Sequence, residues 1–226
     1  MSYILDYLGF ESRELPDRVN AQNITEFFRE ELKKGKEFGY TPVIIPLEDN
    51  LEDFLADNLE ESGSYKTSEL LSAEGFFERL SDENTDLEDI KGNITKGDKN
   101  DTLVSVTDYA SGELAECAVV HLPTDKPWEA ALLVPFGGWN ECPEPLEMAA
   151  VLKLWYEQYG AVPAAITHDT LELVLPKPVP REKAMEVARQ HFLFCPDRIF
   201  QCTSTGTIGE LAGDLSVSTV WYFWWD

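Results

Sequence analysis

The side chains able to do chemistry lie mostly in the second half of this 226-residue chain. They are Asn140, Glu141, Cys142, Glu144, His168, Asp169, Glu172, Cys195, Asp197, Gln201 and Asp226, with Trp139 beside the first of them. Three chemistries are open to them. Cys142, His168, Cys195 and Cys202 supply three thiolates and an imidazole, the donor types of a tetrahedral zinc site. Their intervals of 26, 27 and 7 residues contain no CxxC or HExxH, so four separate segments would have to converge. Cys142 or Cys195 could act as nucleophile, with His168 as base and Glu141, Asp169 or Asp197 as orienter. Cys142 just before a helix start is better placed than Cys195 at a helix end, where the dipole opposes a thiolate. Glu141, Asp169 and Glu172 could divide acid and base roles. Asp169 and Glu172 have opposite parity on a regular strand, so they share a face only across a bend.

Each set also has a plainer reading. Buried cysteines behave as small hydrophobes. Carboxylates at element ends cap helices and tie turns. Gly137-Gly138 lacks the spacing of a phosphate loop and reads as a tight exit from a strand. No cofactor is indicated.

The elements that must position these groups follow from periodicity. Ile24, Phe27, Phe28 and Leu32 predict a helix from Asn23 to about Lys34, with its lysines near the C-terminus. Residues 41–47 read as a strand. Leu51, Phe54, Leu55 and Leu59 give a second helical stripe capped by Asp49 or Asn50. A short helix from Ser68 through Leu80 follows, then a polar, solvated stretch over 81–101. Short strands are expected at 102–106 and 117–122. From Trp128 the order reads strand (130–135), helix (146–159), strands at 164–168 and 171–175, helix (181–194), strand (198–202), short helix (207–215) and strand (217–225). Trp221, Phe223 and Trp225 face one way on the last strand, and Tyr222 and Trp224 the other. Both faces of that strand need cover, so it reads as an interior or well-covered strand.

Charge excludes some function classes. The chain carries 42 acids against 18 bases, a net charge of −24. A phosphate backbone or an anionic membrane surface needs basic neutralisation, so neither nucleic acid nor membrane is expected as partner. A basic protein partner fits. Four cysteines do not make a disulfide scaffold, no signal peptide is visible, and no apolar run reaches eighteen residues. The expected location is cytoplasmic.

Val134-Pro135, the run from Gly137 to Pro143 (GGWNECP), Trp155-Tyr156, Tyr159-Gly160, Thr167 to Thr170 with Glu172, Phe194 to Asp197, Gln201 and Trp221 to Asp226 occur in this order. Together they resemble the bacterial domain-of-unknown-function family 4253 over about residues 115–226. The resemblance implies a small bacterial cytoplasmic protein and no particular activity. In the family's pattern Gly often follows the glutamine, where this chain has Cys202.

The resulting expectation is an α+β fold, a mostly antiparallel sheet with helices packed on it. The C-terminal half is expected as a split β-α-β arrangement closed by the aromatic terminal strand. Residues 1–110 read as an acidic N-terminal α/β region, which is free to pack into one domain with 111–226, the family-like α+β domain. The expected function is a protein-interaction or regulatory module that neutralises a basic partner, through Trp139, Asn140, Glu141, Cys142, His168, Asp169, Glu172, Asp197 and Asp226. The alternative is a small hydrolase or metal-assisted enzyme using Cys142, His168 and nearby carboxylates. The sequence leaves open whether the chain is an enzyme.

Overall fold

A computed structural model of the chain describes residues 3–47, 50–62, 65–83, 87–108 and 110–226. One six-stranded sheet lies at its centre. The strands are β1 (Glu11–Glu14), β2 (Thr41–Pro46), β3 (Cys117–Leu122), β4 (Val162–Ile166), β5 (Thr170–Val174) and β6 (Val220–Trp224). They lie in the order β1-β3-β2-β4-β5-β6. All neighbours are antiparallel except β2 and β4, which run parallel with Ile44 opposite Ala165. The helices are α1 (Tyr3–Leu8), α2 (Ile24–Phe38), α3 (Leu51–Ser62), α4 (Ala73–Glu83), α5 (Ala130–Leu133), α6 (Pro145–Tyr159), α7 (Ala184–Phe194), α8 (Asp197–Phe200) and α9 (Ile208–Leu215). Asp49, one proposed cap of α3, and the side chains of Phe54 and Leu59 lie outside the described residues.

The expected closed arrangement is corrected. The sheet is mixed and open, with β1 and the aromatic β6 as its two edges. No split β-α-β forms, because two of the strands it needs are helical. Residues 130–133 (AALL) follow a 3-10 turn begun by Pro127 and continue as α5. Their uniformly apolar side chains made a strand and a buried helix indistinguishable by pattern, and Ala and Leu favour the helix. Residues 197–200 form α8, with Pro196 at its entry and Asp197 complementing the dipole of its first turn.

Each strand from β2 to β6 divides its residues between two cores. Val43, Ile45, Leu171, Leu173, Trp221 and Phe223 face the larger core, which receives α6 and α7. Ile44, Val119, Val162, Val174 and Val220 face the smaller one, covered by Ile24, Phe27 and Phe28 of α2. Helices therefore cover both faces. The terminal alternation is as its parity predicts: Trp221, Phe223 and Trp225 are buried, while Tyr222 and Trp224 are half-buried. Trp155 of α6 stacks on Phe223 at 5.4 Å and meets Trp221 edge-on at the same distance.

The stretch expected to be solvated is a largely exposed loop, and as far as it is described it also serves as a strap. From Ile90 to Ser105 it crosses α9, the start of β6 and Glu172. Ile90 and Lys91 carbonyls accept the first amides of α9, at 2.8 Å each, satisfying donors that a helix start leaves orphaned. Gly209 and Gly213 bare one face of α9. A Cβ at Gly209 would overlap the Asn93 carbonyl, and one at Gly213 the Thr95 hydroxyl. The Asn100 carbonyl then accepts from Thr219 and Val220 at 3.1 Å. Such a segment has no hydrophobic period to announce it, since backbone bonds and glycine contacts hold it.

Candidate functional site

The turn between β4 and β5 is built by its own side chains. The Thr167 amide donates to the Thr170 carbonyl (2.9 Å), and the Thr170 amide to the Thr167 hydroxyl (3.0 Å). Asp169 accepts from both threonine hydroxyls through Oδ1, at 3.0 and 2.9 Å. Its Oδ2 accepts the Trp224 indole N–H at 2.8 Å, and its carbonyl accepts the Trp225 amide at 3.2 Å. The tight bend thus grips the C-terminal end of β6. His168 Nε2 lies 3.4 Å from Asp169 Oδ2.

The loop after α5 closes on the same end of β6 from the other side. Gly137 has φ +112°, and a Cβ there would overlap the Pro143 carbonyl, so the turn needs glycine. Phe136 packs on Trp139 at 4.7 Å and on Trp225 at 5.7 Å. Asn140, at φ +50°, donates through Nδ2 to the Asp226 carbonyl. The Asp226 amide donates to Asp197 Oδ2 at 3.3 Å. The Cys195 thiol donates to the Trp224 carbonyl at 3.1 Å, capping an acceptor on the edge strand. Pro145 and the Glu144–Glu147 capping box start α6 directly behind this loop.

The thiols are held in their neutral form. Burial pushes Cys142 well above the usual thiol range, the nearby Cys195 adds to it, and a bond from the Gly138 amide works the other way. Burial pushes Cys195 up to about 12, against the opposing charge and backbone amide of Arg198. Both lie in the larger core, whereas Cys202 is exposed.

Asn140, Asp197 and Asp226 are therefore joined by hydrogen bonds, and Trp139, Cys142, Cys195 and Asp169 gather around the same strand end. Glu141 and Glu172 stand apart from them, and His168 meets them at Asp169. Glu141 is exposed and lines a groove with Arg79 and Phe200. His168 is half-exposed and lines a cavity of about 480 Å³ with Tyr222, Trp224 and Val104. Glu172 points to the α2 side of the sheet, fully buried, and binds the strap. Its carboxylate accepts the Val104 amide (3.0 Å), the Ser105 amide (2.9 Å) and the Ser105 hydroxyl (2.5 Å). Burial raises its pKa, and these three donors oppose the rise. Among the described residues no three His, Cys, Asp or Glu side chains are grouped to hold a metal ion.

A second polar centre has no counterpart in the sequence reading. Glu31 is buried on the apolar side of α2, with Arg13 at 2.7 Å and Lys34 at 2.6 Å. Burial works to raise its pKa, but the bonds and charges of Lys34 and Arg13 prevail and hold it below its ordinary value. His121 stacks on Tyr40 at 4.0 Å with Nε2 3.7 Å from Glu31, and burial pushes its pKa down. The available signal was spacing: Glu31 falls three and four residues beyond Phe28 and Phe27, inside the helical stripe.

No helix among the described residues is long and apolar enough to cross a membrane. Neither a curated protein nor a solved structure matches the chain. The profile of a domain of unknown function, DUF4253, matches residues 118–226. That span takes in β3 to β6 and the Gly137–Pro143 loop, the Thr167–Thr170 turn and the strand end they close upon. The resemblance seen in the sequence is thus a match to the DUF4253 family, localised to residues 118–226 of this chain.

Proposed function

We propose that this protein is an interaction module whose acidic surface engages a basic protein partner, and that the cluster at the end of β6 shapes that surface without breaking bonds. The charge balance carries the reading. Forty-two acids face 18 bases, and the buried carboxylates Glu31 and Glu172 are already satisfied inside the fold. The remaining excess is available to steer a cationic surface into contact. Two features of the cluster support a binding role over catalysis. Its thiols are buried and held protonated, whereas a nucleophile needs the thiolate. Asp169, whose Oδ2 lies 3.4 Å from His168 Nε2, already accepts three side-chain donors.

Affinity isolation of the full chain from its native host, followed by binding kinetics with the recovered protein, tests this reading. The expected result is a stoichiometric partner of basic pI whose association rate falls about tenfold or more as salt is raised. Failure to recover a stoichiometric partner, or association that ignores salt, would count against it.

A further inference from the structure

The negative character of the molecule is locally reversed in a cleft. A cleft of about 830 Å³ lies between α2, the C-terminal end of α6 and the connector that follows β5. Arg29, Lys33, Lys36 and Lys177 line it, against two carboxylates, Glu26 and Glu157. The chain as a whole has the opposite ratio, 42 acids to 18 bases. Lys34, on the opposite side of α2, is paired with Glu31, but none of the four cleft cations has a carboxylate partner among the described residues.

Arg29 makes this more than a patch of surface lysines. Its guanidinium is half-buried and pinned to the sheet, donating to the Leu175 carbonyl at 2.9 Å and to the Thr219 hydroxyl at 3.1 Å. Five N–H donors are available to a guanidinium, so two such bonds fix it in place and leave others for a ligand. Lys36 also complements the C-terminal dipole of α2, an effect that ends within the last turn. That explanation reaches neither Arg29, in the middle of the helix, nor Lys177, on another element. Most of the remaining wall is apolar and firm: Tyr156 packs against Trp128 at 5.2 Å, and Pro176 and Pro178 restrict the connector. A concave, partly apolar site of several hundred Å³ with a few fixed polar groups has the dimensions of a small-molecule pocket.

We infer that this cleft binds a phosphorylated small molecule, with Arg29 as its fixed anchor and Lys33, Lys36 and Lys177 closing on the phosphates. The ligand is opposite in charge to the partner proposed above, so either reading can fail without the other. Calorimetric titration of the full chain with inorganic pyrophosphate and with ADP, at physiological salt, tests the inference. Saturable one-site binding of at least one probe is expected. It should weaken about tenfold or more in the Lys33→Glu/Lys36→Glu double variant and in Lys177→Glu, since each removes charge-assisted bonds to the phosphates. Lys96→Glu, the same charge change on the exposed strap, should leave it intact. Lys177 lies outside the helix, so its variant still decides the question if the double variant fails to fold. Absence of saturable binding by both probes overturns the site, as does equal weakening by Lys96→Glu.

Discussion

Deletion of residues 221–226 leaves a chain that no longer unfolds cooperatively. Trp221, Phe223 and Trp225 are each at most 2% exposed, and burying a large apolar side chain contributes about 1.5–3 kcal/mol. Three such losses are comparable with the whole stability of a domain, about 5–15 kcal/mol. The deletion also uncovers β5 and leaves Trp155, Phe194 and Phe136 facing a void where β6 had packed. Phe223→Ala alone is expected to cost about 3–5 kcal/mol, because it opens a cavity against the stacked Trp155. Asp226→Asn is the control. The structure uses the main-chain amide and carbonyl of Asp226, so this change should leave the urea midpoint where it was. A truncated chain with a sharp transition at the wild-type midpoint would refute the packing argument.

Glu172→Ala is expected to lower stability by about 1–3 kcal/mol, since part-buried donors are left without their acceptor. The Val104 and Ser105 amides would lose their shared acceptor, and the strap its attachment to the sheet. Hydrogen exchange should show residues 103–106 opening while α6 and α7 stay protected. Glu172→Gln keeps one acceptor and separates packing from charge. The folded-state pKa of Glu172 is raised by burial, so its protonated form is the one the fold favours. That contribution is fully present below the unfolded pKa, about 4.3, and is lost as pH rises through the folded pKa. Urea unfolding across this range should therefore show the Gln variant gaining on wild type as pH increases. A difference that stays constant with pH would contradict the assignment.

Local signals located several elements well. Gly160 ends α6 in the left-handed conformation, as a glycine after a helical stripe should, and Pro145 opens it. Strict alternation read off the faces of β6. Its place in the sheet was not legible, because pairing is non-local: β6 is an edge strand whose free side is met by α8 and the Cys195 thiol. Nor could the sequence show that β2 would run beside β4, more than a hundred residues later. Residues 130–133 misled because uniformly apolar runs carry no period. Within the candidate cluster, the position of each group beside a turn was legible, but its hydrogen-bond partner was not. Asp169 reads as an acid beside a histidine; its partners Trp224 and Thr170 become visible only when the hairpin forms. Glu172 reads as a strand carboxylate, and nothing in the Val104-Ser105 dipeptide marks it as the ligand of that carboxylate.

The central claim is that the cysteines beside β6 are closed into the fold and held as thiols. Iodoacetamide labelling of the native protein, mapped residue by residue across pH, measures this most directly. The account predicts rapid modification of Cys202 alone, with Cys142 and Cys195 reacting only at the rate of unfolding. Alkylation of Cys142 or Cys195 as fast as Cys202, with a midpoint below the free-thiol value of about 8.5, would show a reactive thiolate and contradict it.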